Sequence, residues 1–362
     1  MTRTRSILAT LALCASPFLA AAETPSLEAL RADGSSSFTF EQAQALPSPG
    51  GLIGPRSHDM AASVLVRHTT ISDLDAGVAL FGYKDYQLGD EWGKKPVTAA
   101  SMAGESLVFQ RAAKATARYG SATAFYIGFF NGHHMMATNR HVMSSMGCGA
   151  AVEFVLLGKR FACEMVYGEW REIDLALFSI RVPPGDQAAL SGIGRNFAFE
   201  AAIYPGQELL TIGFGVANNL RGRMMANQDS DCKVFSGSNE FRKMADPDEF
   251  SPGPDKVWSF ANACDISHGD SGSAYVDRRT GDVVGIVWTG RIPKSPQVAS
   301  SLHLDEMLRA QSPEIWTELS YTVPAASIRD GLKAALSGPL SADAATTISA
   351  ILGPSADAVA AR

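Results

Sequence analysis

The stretch Gly269-Asp270-Ser271-Gly272-Ser273, set upstream of the apolar run Val283-Val284-Gly285-Ile286-Val287, governs how the rest of the chain is read. Glycine on either side of an Asp-Ser pair lets the backbone curl so that neighbouring N–H groups converge on one point, which is what an oxyanion hole requires. The same string also suits an ordinary hairpin turn, in which the serine is only a solvated surface residue. Its meaning therefore depends on the segments that accompany it.

Upstream, Met135-Met136-Ala137-Thr138-Asn139-Arg140-His141-Val142 reads as an apolar strand that ends in a histidine. Arg171-Glu172-Ile173-Asp174-Leu175-Ala176-Leu177-Phe178 places one carboxylate at the start of another. A serine hydroxyl is a weak nucleophile without a base in hydrogen-bond reach, and the base needs a buried acceptor to fix its tautomer. His141, Asp174 and Ser271 supply those groups in that order, each at the rim of an apolar segment. The order speaks against an α/β-hydrolase, which runs nucleophile, acid, histidine around Gly-x-Ser-x-Gly. Here Ser273 stands where the second glycine would be, and His303 is the only histidine after the serine.

With these residues in view, the chain resembles the trypsin-like (chymotrypsin-fold) serine peptidases, nearest to the bacterial glutamyl-endopeptidase-like secreted members. Four segments carry the likeness: Gly120-Ser121-Ala122-Thr123-Ala124-Phe125, with Ala122 and Ala124 in place of the usual glycines; Thr138-Asn139-Arg140-His141-Val142; Ile173-Asp174-Leu175-Ala176-Leu177; and Cys264-Asp265-Ile266-Ser267-His268-Gly269-Asp270-Ser271-Gly272-Ser273. They cover roughly residues 100–336. The resemblance implies an all-β fold of two six-stranded antiparallel β-barrels with the active site between them, plus a C-terminal helix. It implies a serine endopeptidase in which Ser271 attacks, His141 carries the proton, Asp174 orients His141, and the N–H groups of Gly269 and Ser271 form the oxyanion hole.

The resemblance also implies a substrate pocket built from Asp265, Trp288, Thr289 and Gly290, with Asp265 six residues before Ser271 at its base. A carboxylate there would select Arg or Lys through a charge-assisted bond. The other reading makes Asp265 a structural acceptor of loop N–H groups. Trp288 and Thr289 depart from the family's Ser-Trp-Gly, so the pocket walls are not fixed by the motif. In many relatives the residue matching Asp270 captures an ammonium freed by cleavage, which would put maturation near residues 95–112; Asp270 also reads as a plain turn residue. His268, three before the serine, reads as a rim or substrate contact, and His133 and His134 as surface residues beside a hairpin.

The ends of the chain point to export. Arg3 and Arg5 precede Ile7-Leu8-Ala9-Thr10-Leu11-Ala12-Leu13, and Ala20-Ala21-Ala22 offers a small-residue cleavage site, so residues 1–22 read as a signal peptide. The apolar run is too short for a membrane span. Losing Arg3 and Arg5 takes the formal net charge from −6 to −8, which disfavours nucleic acid as a partner. Residues 23–98 form an N-terminal extension or propeptide, 99–336 the peptidase domain, and 337–362 an Ala/Ser-rich tail whose Ala344–Leu352 stretch suits a short helix.

After Cys14 is lost with the leader, Cys148, Cys163, Cys232 and Cys264 remain, an even count that suggests two disulfides in three possible pairings. Pairing of sequence neighbours is the expectation: Cys148 with Cys163 across the hairpin-like Val152–Phe161, and Cys232 with Cys264 bracing the serine loop as in similar peptidases. Without Cys-x-x-Cys spacing no zinc site is expected, and the chemistry requires no cofactor. Asn131-Gly132 between two apolar runs signals a tight hairpin, and further strand-like runs fall at Glu153–Leu157, Leu175–Val182, Leu209–Phe214, Lys256–Phe260 and Asp282–Thr289. Ile328, Leu332 and Ala335 share a face of a helix over 323–336. The expected partners are protein or peptide substrates, with no membrane anchor after signal cleavage and no indication of oligomeric state. The competing reading is a catalytically silent binding protein on the same scaffold, with residues 23–98 recognising a partner.

Overall fold

Residues 83–215 and 223–353 are described by the computed structural model; the expected signal peptide, most of the extension and the end of the tail lie outside the described residues. After a short strand β1 (Lys94–Pro96) and a helix α1 (Leu107–Ala115), the chain builds a closed six-stranded barrel. Its strands are β2 (Thr116–Tyr119), β3 (Ala122–Phe130), β4 (His133–Asn139), β5 (Ala151–Phe154), β6 (Lys159–Trp170) and β7 (Leu175–Arg181), in the order β2-β3-β4-β7-β6-β5. Asn131 and Gly132 both take positive φ, 48° and 85°, as the two-residue hairpin demands. A seven-residue helix, α2 (Arg140–Met146), follows β4 directly.

Strands β3, β4 and β7 are buried along most of their length because both of their faces are covered. Successive side chains of a strand point to opposite sides. Tyr126, Met136, Ala176 and Phe178 enter the barrel's own core, whereas Phe125, Met135, Leu175 and Leu177 enter a larger cluster shared with the second sheet. Full burial of each such Phe, Leu or Met contributes about 1.5–3 kcal/mol. The ends of β4 and β7 are thereby fixed from two sides, and those ends carry His141 and Asp174.

The second half is an eight-stranded antiparallel sheet, where the sequence reading expects a second six-stranded barrel. With β8 (Leu209–Gly213), β9 (Met225–Asn227), β10 (Arg242–Ala245), β11 (Lys256–Asn262), β12 (Ala274–Asp277), β13 (Val283–Gly290) and β14 (Ser320–Pro324), its order is β1-β9-β8-β12-β13-β14-β11-β10. The sheet ends in two edge strands, β1 and β10, so among the described residues it is not closed into a barrel. Both are short and rich in basic residues, and Pro96 ends β1, the composition that suits an unpaired edge and hides a strand from pattern reading.

Two disulfides join Cys148 to Cys163 and Cys232 to Cys264, the neighbour pairing expected from sequence. Closing loops of 15 and 32 residues contributes on the order of 3 kcal/mol each in the chain-entropy account. Cys232 and Cys264 lie wholly inside a third buried cluster with Phe260, Ile266 and Tyr275, next to the serine loop. Helix α3 (Ala325–Leu336) buries Ile328 and Leu332, and α4 (Ala342–Leu352) buries Ala344, Thr347, Ile348 and Ile351. The tail is tied to the barrel as well: the Asn131 amide donates to Asp343 and Thr347, and the Asn196 amide to the Ile351 carbonyl.

Candidate active site

At the end of β4 the chain turns directly into α2, and His141 is the second residue of that helix. Asp174 stands one residue before β7, pinned between Ile173 and Leu175, both buried. It adopts φ 35°, a left-handed conformation that Asp tolerates better than most residues because its short side chain bonds locally. That turn aims the whole residue at the histidine. The Asp174 carbonyl accepts from Arg140 N (3.0 Å) and Asn139 Nδ2 (3.0 Å), and its carboxylate accepts from His141 N (3.0 Å) and lies 2.7 Å from His141 Nδ1. Asp174 is 5% exposed. Desolvation alone would lower the His141 pKa, but the charge and hydrogen bond of Asp174, with Asp246 adding, raise it above the ordinary value.

The serine loop owes its shape to its glycines. Gly269 (φ 93°) and Gly272 (φ 87°) adopt backbone conformations that disfavour side chains. A Cβ on Gly269 would meet the Phe214 carbonyl at 2.6 Å, and one on Gly272 would collide with the Thr123 carbonyl. Thr123, fully buried in β3, stitches the loop to the barrel. Its hydroxyl donates to the Gly269 carbonyl (2.8 Å) and accepts from Phe214 N (3.0 Å), while its N–H donates to the Ser271 carbonyl (3.1 Å). Among the described residues, the N–H groups of Gly269 and Ser271 donate to no protein acceptor.

Ser271 and His141 line one cavity of about 370 Å³, together with Trp288, Thr289 and Gly290. The Trp288 ring does not fill it: the residue is 6% exposed, stacks on Tyr321 at 6.4 Å, and donates from Nε1 to the Ser259 hydroxyl (2.9 Å). Asp265, placed at the pocket base by the sequence reading, lies outside the cavity lining. It is 1% exposed, and its two oxygens accept from Leu88 N (2.6 Å) and Gly93 N (2.7 Å). Burial pushes its pKa up to about 8 against the two N–H bonds, which favour the charged form. Asp265, three residues past the end of β11, thus ties the segment before β1 to the serine loop.

Several site residues escape the sequence reading. Asp246 and Asp248 line the cavity from the loop after β10. Asp246 accepts from the Thr289 hydroxyl (2.5 Å) and Gly253 N (2.9 Å), and burial raises its pKa. Asp248 lies 2.7 Å from His268 Nε2; burial opposes ionisation of that ring, but the neighbouring carboxylates raise its pKa. His268 is thus a cavity wall residue, as its rim position suggested, held by an acid with no sequence signal beyond Asp246-Pro247-Asp248. His133 and His134 are only half-buried and take local partners, Asp343 and Tyr126. Asp270 is buried, and its carboxylate accepts from Ser267 N (2.7 Å), the Ser267 hydroxyl (3.1 Å) and Gly215 N (3.1 Å), and pairs with Lys94.

No curated protein matches the chain. Among solved structures, it is similar to Rv3671c from M. tuberculosis H37Rv at 17% identity and a TM-score of 0.44, over 68% of this chain and 98% of that one. It is also similar to the MamO protease domain from Magnetospirillum magneticum at 18% identity and 0.41, over 61% and 97%. The HtrA-type protease AlgW matches at 16% identity and 0.41, over 63% of this chain and 62% of that one. Overlap at this level assigns no chemistry. Over residues 122–286, a span that contains His141, Asp174 and Ser271, the chain matches the trypsin-like peptidase domain family.

Proposed function

We propose that the protein is an exported serine endopeptidase whose catalytic region is residues 99–336. Ser271 attacks the scissile carbonyl as His141 removes its proton; the oxyanion is received by the N–H groups of Gly269 and Ser271. The C–N bond then breaks as His141 returns the proton to the leaving amine, and water releases the acyl group by the same route. The observation that carries this reading is the double grip of Asp174 on His141. One oxygen on Nδ1 and one on the backbone N–H fix the ring and leave Nε2 as the nitrogen available to Ser271. The undonated N–H groups of Gly269 and Ser271 support the oxyanion assignment.

Export is supported by the two disulfides, which belong to oxidising compartments, and by the leader-like N-terminus. Among the described residues, no helix is long and apolar enough to cross a membrane. The substrates are proteins or peptides. Asp246, Asp248 and His268 line the cavity together, so a substrate side chain there meets both acidic and basic groups.

A fluorophosphonate probe tests the assignment. Wild type should label on Ser271, and Ser271→Ala should abolish labelling while leaving the circular dichroism unchanged. Equal labelling of both proteins, or attachment at another residue, overturns the assignment. A wild type inert to the probe favours a silent binding scaffold.

A further inference from the structure

Lys94 and Asp270 form an ion pair in which both side chains are only 2% exposed. Taking two charges out of water is costly, and removing one partner leaves a buried charge that the fold cannot solvate. The carboxylate is the residue between Gly269 and Ser271, and it is also the hub of the turn. It accepts from Ser267 N, the Ser267 hydroxyl and Gly215 N, while the Asp270 N–H donates to the Ser267 carbonyl (3.0 Å). Gly213 and Gly215 pack closely against it. A Cβ on Gly213 would meet Asp270 Oδ1 at 2.7 Å, and one on Gly215 would collide with Oδ2.

The segment that delivers Lys94 is built into the sheet. Lys94 pairs with Asn227 in the β1–β9 ladder, Gly93 N and Leu88 N are held by Asp265, and Tyr86 and Leu88 are buried. A side chain at Gly93 would collide with Asp229, so the approach to Lys94 is closely fitted. Downstream, the stretch in which maturation was expected includes α1, which buries Phe109, Ala112 and Ala113.

We propose that Lys94 is a positioning residue for the reaction: its ammonium neutralises Asp270 and so holds the turn in which the N–H groups of Gly269 and Ser271 converge. The inference rests on the serine-peptidase reading. It makes residues 83–98 part of the working enzyme, with the charge that a cleaved N-terminus would bring already supplied from within the chain. Activity then requires no cut between Lys94 and the barrel.

The test uses the full chain, a fluorophosphonate probe and a chromogenic peptide. Lys94→Met should slow probe labelling and kcat by about 10²–10³-fold, the effect of disabling an oxyanion donor, with KM nearly unchanged. Affinity for a peptide aldehyde, whose adduct carries the oxyanion, should fall in parallel with kcat. If Lys94→Met does not fold, Lys94→Met/Asp270→Asn leaves no buried charge and should fold yet label slowly, since Asn lacks the second acceptor oxygen. Mass spectrometry of labelled wild type should recover Lys94 in the same chain as the modified Ser271. Wild-type labelling rates in a folded variant, or labelled chains that begin after residue 94, overturn the inference alone. A wild type inert to the probe overturns both the inference and the reading beneath it.

Discussion

In the barrel, the groups that would handle the proton are fixed by one another: Asn139, Arg140 and His141 all bond to Asp174, where the end of β4 and the start of the adjacent β7 meet. In the sheet, the turn of Ser271 is tied by Thr123, Gly215 and Lys94, the last from a sequence separation of 176 residues. One half of the site is a local device and the other is an assembly. A local device can be damaged chemically without loosening the fold. An assembly transmits damage from distant segments to the reacting atoms.

The largest expected effect tests the local half. Asp174→Asn should keep the fold, because Asn tolerates the left-handed backbone at this position at least as well as Asp. It should nonetheless lower kcat by about 10⁴, since the amide can present an N–H to His141 Nδ1 and stabilise the wrong tautomer. Steady-state kinetics on a peptide substrate measure it. A loss of less than tenfold would show that His141 is oriented by something other than Asp174 and would erase the contrast between the halves.

The same division explains what could be read from sequence. His141, Asp174 and the serine turn were legible because each is a short pattern whose meaning is local: a strand end, a strand start, two glycines with positive φ. The Asn-Gly hairpin and the neighbour-paired cysteines were legible for the same reason. Lys94 was not, since Lys94-Lys95-Pro96 has no strand signature and acquires its role only by pairing with β9 and meeting Asp270. Spacing from the serine gives Asp265 a position along the chain but not the direction of its side chain, which accepts from Leu88 N and Gly93 N. Asp246 reaches the cavity through a loop whose path no periodicity specifies.

An intermediate effect tests the assembly. The Asp265 pKa is raised to about 8, so the folded state holds a proton that the unfolded chain releases near pH 4. The associated stability is present in full below about pH 4 and is lost as the pH rises toward 8. Asp265→Asn does not titrate. The difference in Tm between wild type and Asp265→Asn should therefore shift against wild type across that window, while the profile of a peptide library stays unchanged. A lost preference for Arg or Lys, with a flat Tm difference, would restore Asp265 to the specificity pocket and remove it from the tether of residues 88–93.

The smallest effect joins the two halves. Asp246 belongs to the sheet's loops, yet its charge helps raise the pKa of His141 in the barrel. A protonated His141 cannot accept the serine proton, so activity is lost as the pH falls through that raised value, and the acid limb of kcat/KM should lie above about 6.5. Asp246→Asn removes one negative charge and should move the limb downward by less than about one unit, with the plateau rate little altered. The sign is demanding, because burial raises the pKa of Asp246 as well. Only if Asp246 is ionised over the range in which His141 titrates will its removal shift the limb. A pH–rate profile that does not move would make Asp246 a neutral hydrogen-bond partner of Thr289 and Gly253, and the proton chemistry would then belong to the barrel alone.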